Sequence, residues 1–374
     1  MRKFSYFLYE NFDPDLEKEN LYNPRRILGK QTDMVLSYVA GIPAFSCSYF
    51  LCRQRFGESI LLQLIEAGAL RREEDVLLFD SPVFLREDAS VLYSQVRARA
   101  FELAAMLEKN LPRLQSLCRQ IQNGTSVEEN MYHILCGMIF DGSFFDYLNQ
   151  NKALATSRRH CSGLDYLAVI YEDCAELRSL SNGLLCSYNR LANNICSLQS
   201  FGDAQGSRFD FYRVFRQLEH GDTSPELLEA KRLLDYSVGG LRLNKNSLLR
   251  ETAIFCQTGR CQPAVLELLE LFGYAENGKI CVPVYMAEHR KTIEEMKAVV
   301  EESIGRAVGD ILMDMGQHLN ITAVSHGVPF NEIANELYHI LFGSVNEELM
   351  VRGIVSSPLL RQGEGRYLKC IEIY

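Results

Sequence analysis

Apolar residues recur every three or four positions along two long stretches of the chain, which is the pattern of an amphipathic helix. The first stretch has them at Val96, Ala100, Leu103, Leu107, Leu111, Leu114 and Cys118. The second has them at Ile293, Met296, Val300, Ile304, Ala307, Ile311 and Met315. Because proline interrupts a helix, Pro112 predicts a kink or the start of a new helix within the first stretch.

Shorter apolar runs bounded by turn residues predict β-strands. Residues 76–79 and 83–85 flank the turn Asp80-Ser81-Pro82, and residues 280–285 follow a turn at 276–279. Later runs, at 166–171 and 367–373, predict one further strand in each half of the chain. Between 174 and 198, by contrast, leucines spaced three and four apart predict a helix.

One hexapeptide pattern occurs twice, as Tyr132-His133-Ile134-Leu135-Cys136-Gly137 and as Tyr338-His339-Ile340-Leu341-Phe342-Gly343. Five of its six positions are identical, and the copies are 206 residues apart. Three more blocks recur in the same order, at offsets between 201 and 206 residues: 61–68 with 266–273, 81–85 with 282–286, and 163–167 with 364–368. Chance agreement is the alternative, but the common order favours an internal duplication of roughly 125 residues.

The duplication divides the chain into four predicted segments. They are an N-terminal strand and helical lead-in (1–44), a first repeat (45–172), a helical connecting segment (173–249) and a second repeat (250–374). We therefore predict a mainly α fold with small β-hairpins, of the α+β class, in which each repeat has extra helices and a terminal strand.

The pattern Leu-x-x-Leu-x-x-x-Gly closes a predicted helix before a hairpin in both repeats, within residues 60–70 and 265–275. With preceding helices at 46–54 and 248–257, this arrangement resembles the third helix and wing of winged-helix (helix-turn-helix) domains. The resemblance covers about half of each repeat and implies a fold, not a function. In DNA-binding members of that superfamily the third helix enters the major groove, so DNA binding and transcriptional regulation are one use to which a fold of this kind is put.

The predicted third helices are not basic. They present Glu58, Ser59, Gln63 and Glu66 in the first repeat and Gln262, Glu267 and Glu270 in the second. Carboxylates repel phosphates, which weighs against ordinary groove reading. Basic residues flank the helices and are the candidate contacts for nucleic acid or a partner: Arg53, Arg55, Arg71, Arg72, Arg290 and Lys291. The alternative is a solvated surface of mixed charge, because acidic residues lie among them.

Composition narrows the class of protein. The 374 residues include 39 Lys and Arg against 48 Asp and Glu, a net charge of −9, and 47% are hydrophobic. These values exclude a disordered chain and weigh against a surface built wholly for nucleic acid. The 19 uncharged residues 34–52 approach the length of a membrane helix, but Gly41 and Pro43 favour a buried element that turns. We expect no membrane association.

The twelve cysteines include no C-x-x-C pair, and the amino terminus has no secretory cleavage pattern, so we expect a reducing cytoplasm. Two C-x4-C pairs, Cys47 with Cys52 and Cys256 with Cys261, recur across the repeats. Four thiolates at a pseudo-twofold axis could hold a metal. However, side chains five residues apart on one helix point about 140° apart, so we predict no metal site.

The repeated residues Tyr132, His133, Gly137, Tyr338, His339 and Gly343 are expected to be structural. In this interpretation each histidine is half-buried, with a ring nitrogen bonded to a backbone carbonyl. The alternative makes His133 and His339 two related ligands or a pH-sensitive contact. Neither has a cysteine or carboxylate four residues further along the chain, a spacing at which helical metal ligands occur.

No phosphate-loop, nucleophile-elbow or metalloprotease motif occurs, and we predict no catalytic residue and no cofactor. The favoured hypothesis is a non-enzymatic cytoplasmic regulatory or interaction protein. Its two winged-helix-like units would form a pseudo-dimer that docks a partner protein or peptide, or DNA as a transcriptional regulator. A homo-oligomer through the long helices 89–111 and 292–319 is a further option. The alternative is an enzyme or small-molecule sensor with a pocket between the repeats or beside the loop 202–212.

Overall fold

The computed structural model describes residues 2–10, 23–28, 32–160, 163–181, 184–204, 208–212, 228–229, 232, 237–238, 241–242 and 244–374. In chain order its α-helices are α1 (Pro24–Ile27), α2 (Asp33–Ala40), α3 (Tyr49–Phe56), α4 (Glu58–Glu66), α5 (Ala89–Glu108), α6 (Leu111–Cys118), α7 (Val127–Met131), α8 (Phe144–Gln150), α9 (Ala175–Ser181), α10 (Lys245–Thr258), α11 (Pro263–Leu271), α12 (Arg290–Val300), α13 (Arg306–His318), α14 (Thr322–Ser325) and α15 (Phe330–Val351). Two π-helical segments, Tyr132–Ser143 and Glu301–Gly305, lie between them.

The strands are β1 (Phe4–Glu10), β2 (Ser46–Ser48), β3 (Leu70–Glu73), β4 (Val76–Phe79), β5 (Val83–Phe84), β6 (Arg158–Arg159), β7 (Asp165–Glu172), β8 (Leu185–Ala192), β9 (Cys196–Asp203), β10 (Ser237–Val238), β11 (Leu241–Arg242), β12 (Ala275–Glu276), β13 (Lys279–Ile280), β14 (Val284–Tyr285), β15 (Leu360–Arg361) and β16 (Gly365–Ile373). The fold is therefore a mixture of α and β elements, which confirms the predicted α+β class. Of the helices that the structure describes, none has the length and apolar character needed to cross a bilayer.

The chain forms two compact units, and each is assembled from three separate stretches. Unit 1 comprises Met1–Leu103, Phe144–Gly183 and Ile304–Ser344. Unit 2 comprises Ala104–Ser143, Leu184–Ser303 and Val345–Tyr374.

Unit 1 contains an arrangement of three helices and a three-stranded antiparallel sheet. Along the chain the order is α2, β2, α3, α4, β3 and β4, and the strand order in the sheet is β2-β4-β3. Helix α3 begins where the Ser48 side chain accepts a hydrogen bond from the Leu51 amide. Gly57, with φ of 88°, separates α3 from α4, and Gly68, with φ of 62°, follows α4. Glycine adopts such positive φ values without steric cost, which explains both breaks.

The predicted hairpin of unit 1 has a different pairing. Strands β4 and β5 both form, as predicted, but β4 pairs with β3, and β5 pairs in parallel with β7. Strand β3 has the sequence Leu-Arg-Arg-Glu, and only its first residue is buried. A strand with one apolar residue gives no alternating signal, so its role as the hairpin partner was missed.

Unit 2 contains a related succession of α10, α11 and a β12–β13 hairpin. Pro263 stands in the first turn of α11, where its missing amide hydrogen removes no helical bond. The hairpin turns at Asn277 and Gly278, whose φ values are 51° and 75°. Two consecutive positive φ values are the conformation that Asn-Gly favours in a tight hairpin, so this predicted turn is confirmed.

Each unit also has a sheet built around one long strand, β7 in unit 1 and β16 in unit 2. In unit 1 the order is β1-β7-β5, with β6 also paired to β7; in unit 2 it is β14-β16-β9-β8, with β15 paired to β16. Strands β7 and β16 confirm the predicted terminal strands. Apolar cores pack against both sheets, with Leu61, Leu64 and Ile170 in one and Leu268, Leu269 and Ile371 in the other.

Two helix predictions have opposite outcomes. Helix α6 begins at Leu111 with Pro112 in its first turn, so the prediction of a new helix there is confirmed. The predicted helix over 174–198 is wrong beyond α9, because β8 and β9 occupy 185–192 and 196–203. All eight residues of β9 are buried, including the polar Ser197, Gln199 and Ser200, so polarity along the sequence does not show which of its residues lie inside. The described part of the connecting segment is thus not simply helical, and most of residues 205–243, with part of the loop 202–212, lie outside the described residues.

Candidate functional site

An exposed apolar surface lies on α3 and β4 of unit 1. Phe50 and Leu51 on α3 are 55% and 56% exposed, and Val76 on β4 is 41% exposed. Tyr49 and Cys52 occupy the buried side of α3, three residues apart, so the two residues between them necessarily face solvent. Val76 pairs with Ser48 in the sheet, which places it beside the start of α3. We call Phe50, Leu51 and Val76 the apolar patch.

Asp75 fixes the start of α3 against the turn between β3 and β4. Its backbone oxygen accepts a hydrogen bond from the Tyr49 amide (2.6 Å), and its carboxylate accepts bonds from the Phe50 amide (3.0 Å) and the Ser48 hydroxyl (2.8 Å). These bonds, that of Ser48 foremost, lower the pKa of Asp75 below its ordinary value. The patch is therefore presented by a defined backbone next to a negative charge.

The exposed side of α4 is acidic and apolar. Glu58, Ser59, Leu62 and Gln63 face solvent, while Leu61 is buried. The turn between β3 and β4 adds Glu74 and Asp75 to the acidic groups of this region. A DNA-reading helix and wing would instead present cationic groups to the phosphates.

Two of the predicted basic contacts, Arg71 and Arg72, are engaged within unit 1. Arg71 donates to the carbonyl oxygen of Phe79 (2.9 Å) and to the carboxylate of Glu73 (2.9 Å). Arg72 donates to the carbonyl oxygen of Glu74 (2.7 Å), and its guanidinium lies 3.8 Å from the centre of the Tyr49 ring. Such a stacked, hydrogen-bonded guanidinium must break its contacts before it can reach a phosphate.

Arg53 and Arg55, on α3, also contact neighbouring side chains. Arg53 lies 3.4 Å from the Glu58 carboxylate, with half of its side chain exposed. The Arg55 guanidinium lies 4.6 Å from the ring centre of Tyr38 and 5.5 Å from that of Phe56. Arg290 and Lys291, in unit 2, lie exposed in the first turn of α12, where Lys291 is 3.9 Å from Glu295. The structure thus gathers the four arginines in unit 1 and leaves Arg290 and Lys291 in unit 2.

The repeated residues of the first hexapeptide are buried in unit 2. The Tyr132 hydroxyl donates to the carbonyl oxygen of Phe201 (2.8 Å), and a Cβ on Gly137 would lie 3.4 Å from the Phe201 Cβ. His133 is 2% exposed, and its Nε2 has no hydrogen-bond partner among the described residues. Burial lowers the pKa of His133 to about 3. The expected bond from a ring nitrogen to a backbone carbonyl is therefore not made by Nε2.

The residues of the second hexapeptide lie in unit 1, all buried except His339, which is half-buried as expected. Tyr338 stacks on Phe144, and Gly343 lies buried in α15. His339 is bonded through Nδ1 to the carbonyl oxygen of Asn335 (2.9 Å), as expected for a structural histidine. Its ring also stacks on Tyr9, 4.4 Å between centres, and burial lowers its pKa to about 4. Both histidines are thus neutral at neutral pH.

The first C-x4-C pair comes together. Cys47 lies on β2 and Cys52 on α3, and their Sγ atoms are 3.0 Å apart. The prediction that the two thiols point apart assumed a single helix, and it is wrong because Cys47 precedes the helix. Within the described ranges, His, Cys, Asp and Glu side chains form no group of three or more that could hold a metal ion.

Two buried polar groups of unit 1 were not singled out from the sequence. The Glu336 carboxylate is 2% exposed and accepts hydrogen bonds from the hydroxyls of Tyr9 and Tyr171. Arg158 lies 3.1 Å from the Asp80 carboxylate and 3.3 Å from that of Glu332. Glu332 and Glu336 stand four residues apart on α15 and so share one side of the helix. Two carboxylates on the apolar side of a predicted helix are the sequence pattern that could have indicated these buried groups.

Among the described residues, these contacts make the apolar patch the candidate site. Comparison of the chain with models of protein families, with curated proteins and with solved structures found no significant match.

Proposed function

We propose that this chain is a non-enzymatic regulatory or interaction protein that binds a partner protein through the apolar patch of a winged-helix-like unit. The observation that carries the proposal is the exposure of Phe50, Leu51 and Val76 on a backbone held by Asp75. Exposed apolar side chains that cluster on a well-fixed surface are typical of protein-binding sites.

The winged-helix part of the proposal is supported by topology. A helix, a short strand, two helices and a two-stranded wing follow one another from α2 to β4, and the first strand adds to the wing in the order β2-β4-β3. This is the succession expected from the sequence resemblance, with the wing formed by β3 and β4. We propose that a second winged-helix-like arrangement is formed in unit 2 by α10, α11, β12 and β13.

Internal duplication is supported by equivalent bonds in the two units. The Ile170 amide donates to the carbonyl oxygen of Pro82 (2.9 Å), and the Ile371 amide donates to that of Pro283 (2.9 Å). In each case the residue after the proline begins a short strand parallel to the long one. The partners are separated by the same number of residues in both units, as a duplicated gene would give.

A protein partner fits this surface better than DNA does. Arg71 and Arg72 are bonded to groups of their own wing, and Glu74 and Asp75 form the wing turn. A phosphate backbone approaching this turn would meet carboxylates first. A polypeptide with apolar side chains can bury the patch without breaking the arginine contacts.

Charge complementarity defines the partner further. The patch borders Asp75 and Glu74, and the whole chain has a net charge of −9. We infer that the partner segment carries two or three apolar anchor residues next to lysine or arginine. Apolar anchors supply most of the affinity in such interfaces, while charges outside the core mainly speed association.

The test is selection of random peptides displayed on phage against the full chain, followed by affinity measurement on the enriched peptides. We expect enriched sequences that combine apolar and basic residues. Phe50→Ser and Leu51→Ser should each weaken their binding at least about tenfold, the effect of losing one apolar anchor. Leu359→Ser, which changes a residue 84% exposed in unit 2, is the matched control and should leave binding unchanged.

Titration with random-sequence duplex DNA at several salt concentrations tests the alternative that the chain binds DNA. We expect a Kd no tighter than about 10 μM at physiological salt, within the range of non-specific binding. Tighter binding with a steep salt dependence that Arg53→Ala and Arg72→Ala abolish would overturn the proposal in favour of a DNA-binding regulator. So would enriched peptides whose binding Phe50→Ser and Leu51→Ser leave intact.

A further inference from the structure

We propose that Cys47 and Cys52 are a reversible disulfide site, closed by exchange with a low-molecular-weight disulfide. The site lies within unit 1, at the junction of β2 and α3. It is a modification of this chain's own residues and does not depend on the proposed partner function.

The geometry of the junction brings the two sulfurs together. Ser48 caps α3, so the chain changes from strand to helix between the two cysteines, and Cys52 returns toward β2 at the end of the first helical turn. The resulting Sγ–Sγ separation is 3.0 Å. A disulfide bond is about 2.05 Å long, so closure requires a movement of only about 1 Å.

The two thiols differ in accessibility, which assigns their roles. Cys47 is half-buried, whereas Cys52 is fully buried. The Cys47 thiolate attacks one sulfur of glutathione disulfide and releases one glutathione thiolate, forming a mixed disulfide. The Cys52 thiol then loses its proton and attacks the Cys47 sulfur, which releases the second glutathione. Two protein thiols are oxidised and one glutathione disulfide is reduced to two thiols, so atoms and electrons balance.

The environment of the pair sets the rate of the first step. Burial raises the pKa of the Cys47 thiol to about 12. Because only the thiolate attacks, closure should be slow at neutral pH and accelerate about tenfold for each unit of pH. The site would therefore respond to sustained oxidation and not to brief exposure.

The second C-x4-C pair provides an internal control of the same spacing. Cys256 lies in the last turn of α10, and Cys261 follows Gly259, whose φ of 71° ends that helix. Both thiols are half-buried. This pair lacks the strand-to-helix turn that brings Cys47 and Cys52 together.

The experiment uses the full chain equilibrated in glutathione buffers of increasing oxidation, then quenched with acid, alkylated and digested with trypsin. Cys47 and Cys52 both lie in the tryptic peptide 31–53, whereas Cys256 and Cys261 lie in different peptides. We expect peptide 31–53 to lose two hydrogen atoms in place of gaining two alkyl groups, and reducing buffer to reverse the change. The rate of closure should rise about tenfold from pH 7 to pH 8.

Variants make the result specific. Cys256→Ser and Cys261→Ser should leave closure of peptide 31–53 unchanged, whereas Cys52→Ser should stop the reaction at a glutathione adduct on Cys47. Double alkylation of peptide 31–53 in buffers that oxidise other cysteines would overturn the proposal. A stable glutathione adduct on the wild-type peptide, or a link from it to another peptide, would overturn it as well. The outcomes that would overturn the proposal are measured on the wild-type chain, so they do not depend on the folding of any variant.

Discussion

At the scale of single residues, the Glu336 carboxyl group couples stability to pH. It is buried on α15 in unit 1 and accepts hydrogen bonds from Tyr9 on β1 and Tyr171 on β7. Burial raises its pKa to about 7, although both tyrosine hydroxyls act in the opposite direction. The group therefore binds its proton more tightly in the folded protein than in the unfolded chain.

A raised pKa in the folded state means that stability is greatest at low pH and is lost as the pH rises from about 4.5 to 7. Between pH 5 and pH 8, Glu336 alone should remove roughly 2–3 kcal/mol from the free energy of unfolding. We expect Glu336→Gln, which stays neutral, to lose this part of the pH dependence. Urea unfolding of both proteins at pH 5, 6.5 and 8 measures it.

The comparison of the two proteins isolates Glu336 from other carboxyl groups whose pKa is raised, such as Glu332 and Asp88. The variant should gain stability relative to wild type at pH 8, with the difference shrinking toward pH 5. A difference that is the same at all three pH values would contradict the prediction.

At the scale of single elements, the space around two glycines differs. Close packing of strands requires glycine at position 202, whereas a larger residue fits at position 309. Gly202 on β9 lies opposite Tyr367 on β16, and a Cβ there would be 2.7 Å from the Tyr367 Cα and would overlap the carbonyl oxygen of Arg366. Gly309, in the interior of α13, has nothing within 4 Å of its Cβ position. The same substitution should therefore have opposite effects at these two sites.

We expect Gly202→Ala to reduce the free energy of unfolding by about 1–3 kcal/mol, since the β9–β16 pair must shift to accept the methyl group. Gly309→Ala should increase it by about 0.5–1 kcal/mol, because alanine lowers the cost of ordering a helix. Chemical denaturation at one pH measures both. Equal effects of the two variants would show that strand packing does not set the requirement for glycine at 202.

Periodicity predicts elements well when only one face of an element is buried. The apolar spacing from Val96 to Leu107 correctly indicates a helix, and Pro112 correctly marks the next one. Strand β9 is buried on both faces although half of its residues are polar, so its sequence does not indicate a buried strand, and the leucines before it imitate a helical spacing. Strand β3 is mostly polar and gives no signal at all.

The candidate site depends on contacts that spacing cannot give. The sequence indicates that arginines flank α4, but only the structure places Arg72 on the Tyr49 ring and bonds Arg71 to Phe79. Likewise, the sequence pairs Cys47 with Cys52 by position, whereas their proximity depends on the strand-to-helix turn at Ser48. Exposure of Phe50 follows from the buried positions Tyr49 and Cys52, which pattern analysis of an eight-residue helix does not resolve.

At the scale of the whole molecule, buried histidines oppose the effect of Glu336. Burial lowers the pKa of His133 to about 3 and those of His160 and His339 to about 4, and it also lowers that of His326. A lowered pKa in the folded state means that stability is complete above about pH 6.5 and is lost as the pH falls toward 4. The two opposing effects should place maximum stability near neutral pH.

His133 offers the cleanest test of the acid effect, because its Nε2 has no hydrogen-bond partner among the described residues. His133→Leu should remove about 2 kcal/mol of the stability that wild type loses between pH 7.5 and pH 5. Urea unfolding at these two pH values measures the difference. If wild type and variant lose equal stability on acidification, the pKa of His133 is the same in the folded and unfolded protein, which would contradict the lowering by burial.

The assembly of each unit from three stretches has a consequence for biosynthesis. Unit 1 contains the first residues of the chain, yet it also requires Ile304–Ser344, which includes Glu336 and the helix that bonds Tyr9. A ribosome must therefore synthesise the chain as far as Ser344 before strand β1 can meet all of its partners. The nascent chain cannot complete one unit and then begin the other, and the early half must wait, with part of its apolar surface uncovered, for the last helices to emerge.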